Sequence, residues 1–169
     1  MMNFFELFAL PTDFVIDQQK LDEQLRTLQS QYHPDVVNAQ KSEQMSAVIN
    51  QAYQTLKSPD SRASHLLELV EQADKLQQSI RDLDFLDLAM DFRIELDESD
   101  KQQLPILNQK LQDWLAEMSH HFNQAYQQQD WQTAIDFTQK LKFLVKIDKD
   151  LAKKVDELAN VLDDDALYV

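Results

Sequence analysis

The chain has 169 residues and a mass of 19.8 kDa, room for one ordinary domain or two small ones, and its 16 basic against 30 acidic side chains leave a net charge of −14 that repels phosphate backbones and argues against nucleic-acid binding. Glycine is absent, which excludes a Walker loop, a Rossmann fingerprint and a G-x-S-x-G elbow, since all three need residues tolerant of positive φ. Cysteine is absent too, so disulfides, thiol chemistry, zinc knuckles and thiolate-held iron–sulfur clusters are out of reach; with only four prolines as breakers, the composition points to an all-α protein.

The opening stretch MMNFFELFALPTDFVIDQQK has neither the basic start nor the long apolar run of a secretory signal. No window approaches about eighteen consecutive apolar residues, so the expectation is a cytoplasmic protein that does not enter a membrane. Phe4, Phe5, Leu7, Phe8 and Leu10 predict a short apolar helix before Pro11. Leu21, Leu25, Leu28 and Tyr32 then recur at helical spacing behind Asp17, a predicted N-cap. A second stripe, Met45, Val48, Ile49, Ala52, Tyr53 and Leu56, has the same quality. Pro34 disfavours α geometry at His33, so the two stripes form a helical hairpin with a loop at roughly residues 33–41. The pair Ser58-Pro59 reads as an N-cap with proline at the first helical position, opening a helix that carries Leu66, Leu67, Leu69 and Val70.

From about residue 71 the charge balance shifts, from a net −4 over 1–70 to a net −10 over 71–169, and this divides the chain into two domains at that point. Three further helices are predicted. The first, near 79–97, carries Ile80, Leu83, Leu86, Met90 and Leu96; the second carries Leu107, Leu111, Trp114, Leu115, Met118, Phe122 and Tyr126. After QQQD, with Asp130 as cap, the third places Ile135, Leu141, Leu144, Leu151, Val155, Leu158 and Leu162 on one stripe and, if unbroken from 131 to 162, spans about 48 Å. A long antiparallel hairpin with a third helix on it makes a three-helix bundle.

His33 stands out among the four histidines: Pro34 holds its backbone extended and Asp35 presents a carboxylate beside it. A general base oriented by Asp35 is one reading, but no nucleophile or oxyanion loop accompanies the pair; an ordinary turn is another. Context adds a third. The order short aromatic helix, amphipathic helix ending in QYHPD, loop, and helix ending in INQAYQTLKSPDSRA resembles the J domain over about residues 2–70, carried by Tyr32-His33-Pro34-Asp35, Asn50-Gln51-Ala52-Tyr53 with Leu56, Pro59, and Arg62-Ala63. The opening MNFFELFALPTDFVID, RASHLLEL, RDLDFLDLAMDFRIELDE at 81–98 and QKLKFLVKID at 139–148 are similar to the HscB branch of that family over nearly the whole chain.

The resemblance implies a non-enzymatic, cofactor-free adaptor of iron–sulfur cluster assembly. Its J domain, a helical hairpin with short flanking helices, would stimulate the ATPase of an HscA/DnaK-type chaperone. Its C-terminal three-helix bundle would hold an IscU-type scaffold protein and deliver it there. By the same resemblance His33, Pro34 and Asp35, with Tyr32 and Arg26, form the chaperone-contacting motif, Asp35 meeting an arginine. Leu86 and Phe143 match apolar scaffold-binding positions, and Met90 replaces another with a similar residue. Two departures stand out. Asp87 occupies a position where the family has an apolar side chain, and the stretch 21–32 carries only Arg26 against Asp22 and Glu23, with Val36 where a lysine is common.

Other candidates have plainer readings. His65 is expected to pack; His120 and His121, adjacent in sequence, point to different helix faces and make a poor metal pair; Asp163, Asp164 and Asp165 read as a solvated terminus; Trp114 and Trp131 read as core anchors. By periodicity alone the Leu86–Phe92 stretch is core. A general J-domain co-chaperone is disfavoured by the missing Gly/Phe-rich linker and zinc repeats, and a metal-dependent helical hydrolase by stripes that are apolar rather than carboxylate-bearing.

Overall fold

The computed structural model describes residues 1–167, with side chains described through Val161. Among these residues there are seven α-helices and no strands: α1 (Phe4–Leu7), α2 (Gln18–Gln31), α3 (Ala39–Lys57), α4 (Pro59–Leu69), α5 (Leu83–Glu98), α6 (Leu104–Gln127) and α7 (Trp131–Leu167), with one 3₁₀ segment at Ala73–Gln77. Two compact units divide between Leu76 and Gln77, inside that 3₁₀ segment. The boundary read from charge at residue 70 falls at the end of α4 instead.

In the first unit, α2 and α3 form the expected hairpin. Asp17 caps α2, its carboxylate accepting from Lys20 N–H at 3.2 Å. Helix α3 starts earlier than the proline alone suggests because Asn38 caps it, accepting from Lys41 N–H at 2.8 Å. Leu21, Leu28, Ile49, Ala52 and Leu56 are buried between the helices, and the Tyr53 hydroxyl donates to Asp22 at 2.9 Å across them. That hydrogen bond, then burial, then the Asp22 charge hold the phenol above its ordinary pKa.

Helix α1, capped by Asn3, covers the hairpin with Phe5 and Phe8, both fully buried. It is locked by His65 of α4, itself 2% exposed. The imidazole stacks on Phe4 at 4.6 Å between ring centres, and Nε2 accepts the otherwise orphaned Phe4 N–H at 3.1 Å. That bond assigns the ring proton to Nδ1, 3.4 Å from a Glu68 carboxylate oxygen. Ser58 sits at the junction of α3 and α4 but makes no side-chain cap; its hydroxyl donates to Asp60. The free end of α3 is served by Arg62, which donates to Leu56 C=O at 2.7 Å and lies 4.8 Å from the Phe14 ring centre. Burial pushes its guanidinium pKa down to about 10 against the opposing effect of Asp60.

In the second unit α6 and α7 form the long hairpin and α5 packs on both, a three-helix bundle. Asp130 starts α7, its two carboxylate oxygens accepting from Thr133 N–H and Oγ. Leu107, Leu111, Leu115, Met118 and Phe122 of α6 meet Ala134, Ile135, Leu141, Leu144 and Ile147 of α7. The α5 expectation needs correction. Asp82 caps the helix through Phe85 N–H at 3.0 Å, so it starts at Leu83 rather than 79, and its buried face is Phe85, Ala89, Phe92 and Leu96. Ile80 lies outside the helix, and Leu83, Leu86 and Met90 are not core. Trp114 and Trp131 are only half-buried: Trp114 packs between Phe85 and Phe92, Trp131 edge-on to Tyr126. The α7 stripe is buried to Leu151, Val155 is 42% exposed, and the side chains of Leu162 and Asp163–Asp165 lie outside those described.

Three helices end without glycine in the reverse turn that usually recruits one. Ala9, Glu71 and Gln129 sit at φ 51°, 58° and 57° after α1, α4 and α6. Each is followed by the same paired bonds: Leu10 N–H to Phe5 C=O with Ala9 N–H to Glu6 C=O, Gln72 to Leu67 with Glu71 to Glu68, and Asp130 to Ala125 with Gln129 to Tyr126.

Candidate functional site

The hairpin tip is built by α2 stopping early. Tyr32 closes the last turn, its N–H reaching Leu28 C=O, and His33 C=O then accepts from both Val36 N–H at 2.8 Å and Val37 N–H at 3.1 Å. With Pro34 fixing φ inside this turn, His33 to Val36 form a stiff projecting corner. The side chains of His33 and Asp35 are 58% and 89% exposed. Asp35 N–H donates to His33 Nδ1 at 3.2 Å, so the neutral ring carries its proton on Nε2. The Asp35 carboxylate lies 3.4 Å from the same Nδ1.

This geometry speaks against general-base chemistry. A carboxylate that orients a base accepts a hydrogen bond from the imidazole, whereas here Nδ1 is an acceptor already served by the backbone. What the corner offers a visitor is one N–H donor and one exposed carboxylate on a rigid turn. Tyr32 is half-buried against the hairpin, and Arg26 is exposed about two turns earlier on α2.

The second candidate surface lies on the outer face of α5. Leu83, Leu86, Met90 and Ile94 follow at steps of three, four and four and so share one face, opposite the buried one. Leu83, Met90 and Ile94 are 71%, 53% and 52% exposed, and Leu86 is half-buried. Phe143 of α7 borders this face on the Leu86 side: its ring packs edge-on to Phe85 at 6.1 Å and under Arg93 at 5.8 Å, and Arg93 is in the same row of α5 as Leu86. Arg93 is held by Asp150 at 3.3 Å. Asp87 is exposed within the stripe. Leu83 and Ile94 were missed as surface residues; the signal was the continuation of the Leu86–Met90 spacing in both directions.

The plainer candidates are accounted for by packing. His65 is the α1 clasp, and His121 stacks on Phe137 at 4.9 Å. His120 and His121 have ring centres 5.9 Å apart, and among the described residues no group of three or more His, Asp or Glu side chains is placed to hold a metal. No described helix is long and apolar enough to cross a membrane.

Comparison with known proteins covers both surfaces. Residues 3–65 match the family model described as the DnaJ domain, and residues 81–152 the one described as the HSCB C-terminal oligomerisation domain. The co-chaperone protein HscB homolog of Acinetobacter baumannii (strain SDF) is 40% identical over 167 residues, 97% of this chain and 95% of that protein. Among solved structures, the chaperone HscB from Vibrio cholerae aligns with a TM-score of 0.75 at 32% identity over 93% of this chain and 99% of that one. The human co-chaperone HscB aligns with a TM-score of 0.73 at 25% identity, over 91% and 82%. An N-terminal J fold with its tip exposed, an α-helical second unit, and sequence identity of this extent along the whole length place the chain in the HscB family of J-domain co-chaperones.

Proposed function

We propose that the chain stimulates the ATPase of an HscA/DnaK-type chaperone through the His33–Pro34–Asp35 corner, with Tyr32 and Arg26 at its base. The outer face of α5 with Phe143 would hold an IscU-type scaffold and deliver it to that chaperone during iron–sulfur cluster assembly in the cytoplasm. The observation that carries the reading is the exposed, rigid corner on a J fold in an HscB-family chain. The role is binding rather than catalysis. An adaptor that favours one nucleotide state of the chaperone shifts its cycle, whereas equal affinity for both shifts nothing. Holding the scaffold also raises its effective concentration at the chaperone. Leu86, Met90 and Phe143 suit this task because they are apolar yet accessible, with Arg93 and Asp150 as a polar rim.

The test is steady-state ATP turnover of the cognate chaperone with scaffold present, comparing wild type with His33→Gln. Loss of stimulation at unchanged melting temperature is the expected result; equal stimulation removes the corner from the mechanism. Scaffold pull-down by the full chain, wild type against Met90→Asp, tests the second surface. A second reading, compatible with the first, is favoured by the description attached to the family model over 81–152: the second unit also associates with another copy of itself.

A further inference from the structure

The segment between α2 and α3 is pinned from both sides. His33 C=O accepts from Val36 N–H at 2.8 Å and from Val37 N–H at 3.1 Å, and Asn38 closes the segment as the cap of α3. Within it the two valines divide: Val37 is half-buried, whereas Val36 keeps 68% of its surface exposed. Met1, Met2 and Val15 of the first unit are exposed too, but all three precede α2 and none is on the tip. A single exposed apolar side chain is ordinary on a protein surface; the setting of this one is not. It follows Asp35 directly, and from Thr27 through Gln40 Asp35 is the one side chain with a formal charge, histidine being neutral. The tip therefore has no lysine or arginine with which to meet an acidic surface. A carboxylate and a valine stand side by side on a turn that holds both in place.

We propose that Val36 is a specificity-determining contact of the corner: beside the basic side chain that meets Asp35, the chaperone presents a small apolar recess, free of acidic groups, in which Val36 is buried on docking. This rests on the corner reading above and names the chemistry of the surface the corner fits. Valine has a single χ angle made stiff by β-branching, and the turn has already fixed its backbone, so burying it costs little conformational entropy. Because it adjoins Asp35, a valine seated in the recess also excludes water from the carboxylate and its cation, which strengthens that pair. An acidic group facing Val36 would lose its water with no cation on the tip to replace it. The same residue that favours an apolar recess therefore turns away a chaperone with an acidic one, and discrimination comes from the penalty as much as from the contact.

Steady-state ATP turnover of the HscA/DnaK-type chaperone, titrated with the full chain, tests the proposal. Val36→Thr keeps the shape and the β-branching but adds a hydroxyl; it is expected to raise the concentration giving half-maximal stimulation about fivefold, with the plateau unchanged. Val36→Lys is expected to raise it further, and by the same factor at about 50 and about 200 mM salt. His33→Gln, by contrast, is expected to abolish the plateau. Melting temperatures of all three are expected to match the wild type, since both positions are exposed on the tip. A Val36→Thr variant indistinguishable from wild type overturns the apolar contact. A Val36→Lys variant that stimulates at lower concentration in low salt overturns it in favour of an acidic surface. Either result leaves the corner reading standing when His33→Gln is inactive, whereas a His33→Gln variant as active as wild type overturns that reading and the role of Val36 together.

Discussion

Replacing Asp87 by leucine should tighten scaffold binding. The carboxylate is exposed on α5 among Leu83, Leu86, Met90 and Ile94, so a partner that covers this face must either strip water from it or leave a gap around it. Neighbouring Met90 keeps 53% of its surface, which sets the area a partner gains at such a position at roughly half a side chain. At about 25 cal/mol per Å² this gives about 1 kcal/mol for the added leucine, and removing the desolvated carboxylate brings the total to about 1.5 kcal/mol, a tenfold fall in Kd. The fold should be unaffected, because a solvated helix position contributes within about 0.5 kcal/mol and leucine is the better helix former. Isothermal titration of the cognate scaffold into wild type and Asp87→Leu reads the difference, with thermal melts as the control. Equal or weaker binding by the variant would refute the reasoning, and would mean that Asp87 meets a cation on the scaffold rather than interrupting an apolar contact.

His65→Ala should destabilise the first unit by about 2–4 kcal/mol, from the lost stack on Phe4 and the orphaned Phe4 N–H together, while His65→Phe keeps a ring in place and costs about 1–2 kcal/mol; thermal unfolding ranks the two, and an alanine variant as stable as wild type would dismiss the clasp. The Asp82 carboxyl is held below its ordinary value first by the Lys140 ammonium at 2.7 Å and then by Phe85 N–H. Its contribution is therefore present above the unfolded carboxyl pKa and lost as pH falls through that value and on through the lower folded one. Lys140→Met should flatten that part of the acid-unfolding profile, and an unchanged profile would remove the pair from the account. Because residues 21–32 carry Arg26 against Asp22 and Glu23, ATPase stimulation should depend less on salt than in more basic relatives; a steep loss between about 50 and 200 mM would contradict this.

The sequence was most informative where one local rule decides the outcome. Pro34 ending α2, Asp17 and Asp130 as caps, and the α6 stripe are set by neighbours within one or two turns, and the same residues do the same work in the structure. Reading failed where two rules competed. Helix α5 has apolar residues on two opposite faces, so periodicity finds a helix but not which face the bundle takes, and only the family resemblance separates Leu86 and Met90 from the buried row of Phe85, Ala89, Phe92 and Leu96. Ser58 looks like a cap, yet its hydroxyl turns to Asp60 and the α3 terminus is served by Ser61 and Arg62 from the first turn of α4, a local solution across the helix junction that helical periodicity does not encode. The tryptophans are large enough to be half-covered and still pack, which composition alone reads as burial. The corner at His33–Asp35 was legible as a motif, while its internal hydrogen bond, and hence the ring tautomer, emerged only from the geometry.

The three positive-φ residues bear on how this fold could be engineered. A left-handed residue with a Cβ carries about 1–2 kcal/mol of strain, but a glycine there would enlarge the disorder of the denatured chain by about 0.5–1 kcal/mol. The two offset only in part at Ala9, Glu71 and Gln129, which leaves a glycine at each corner a net gain of up to about 1 kcal/mol. Relaxing these bends with glycine is therefore a route to thermal robustness in this chain that leaves its helices and its surfaces untouched.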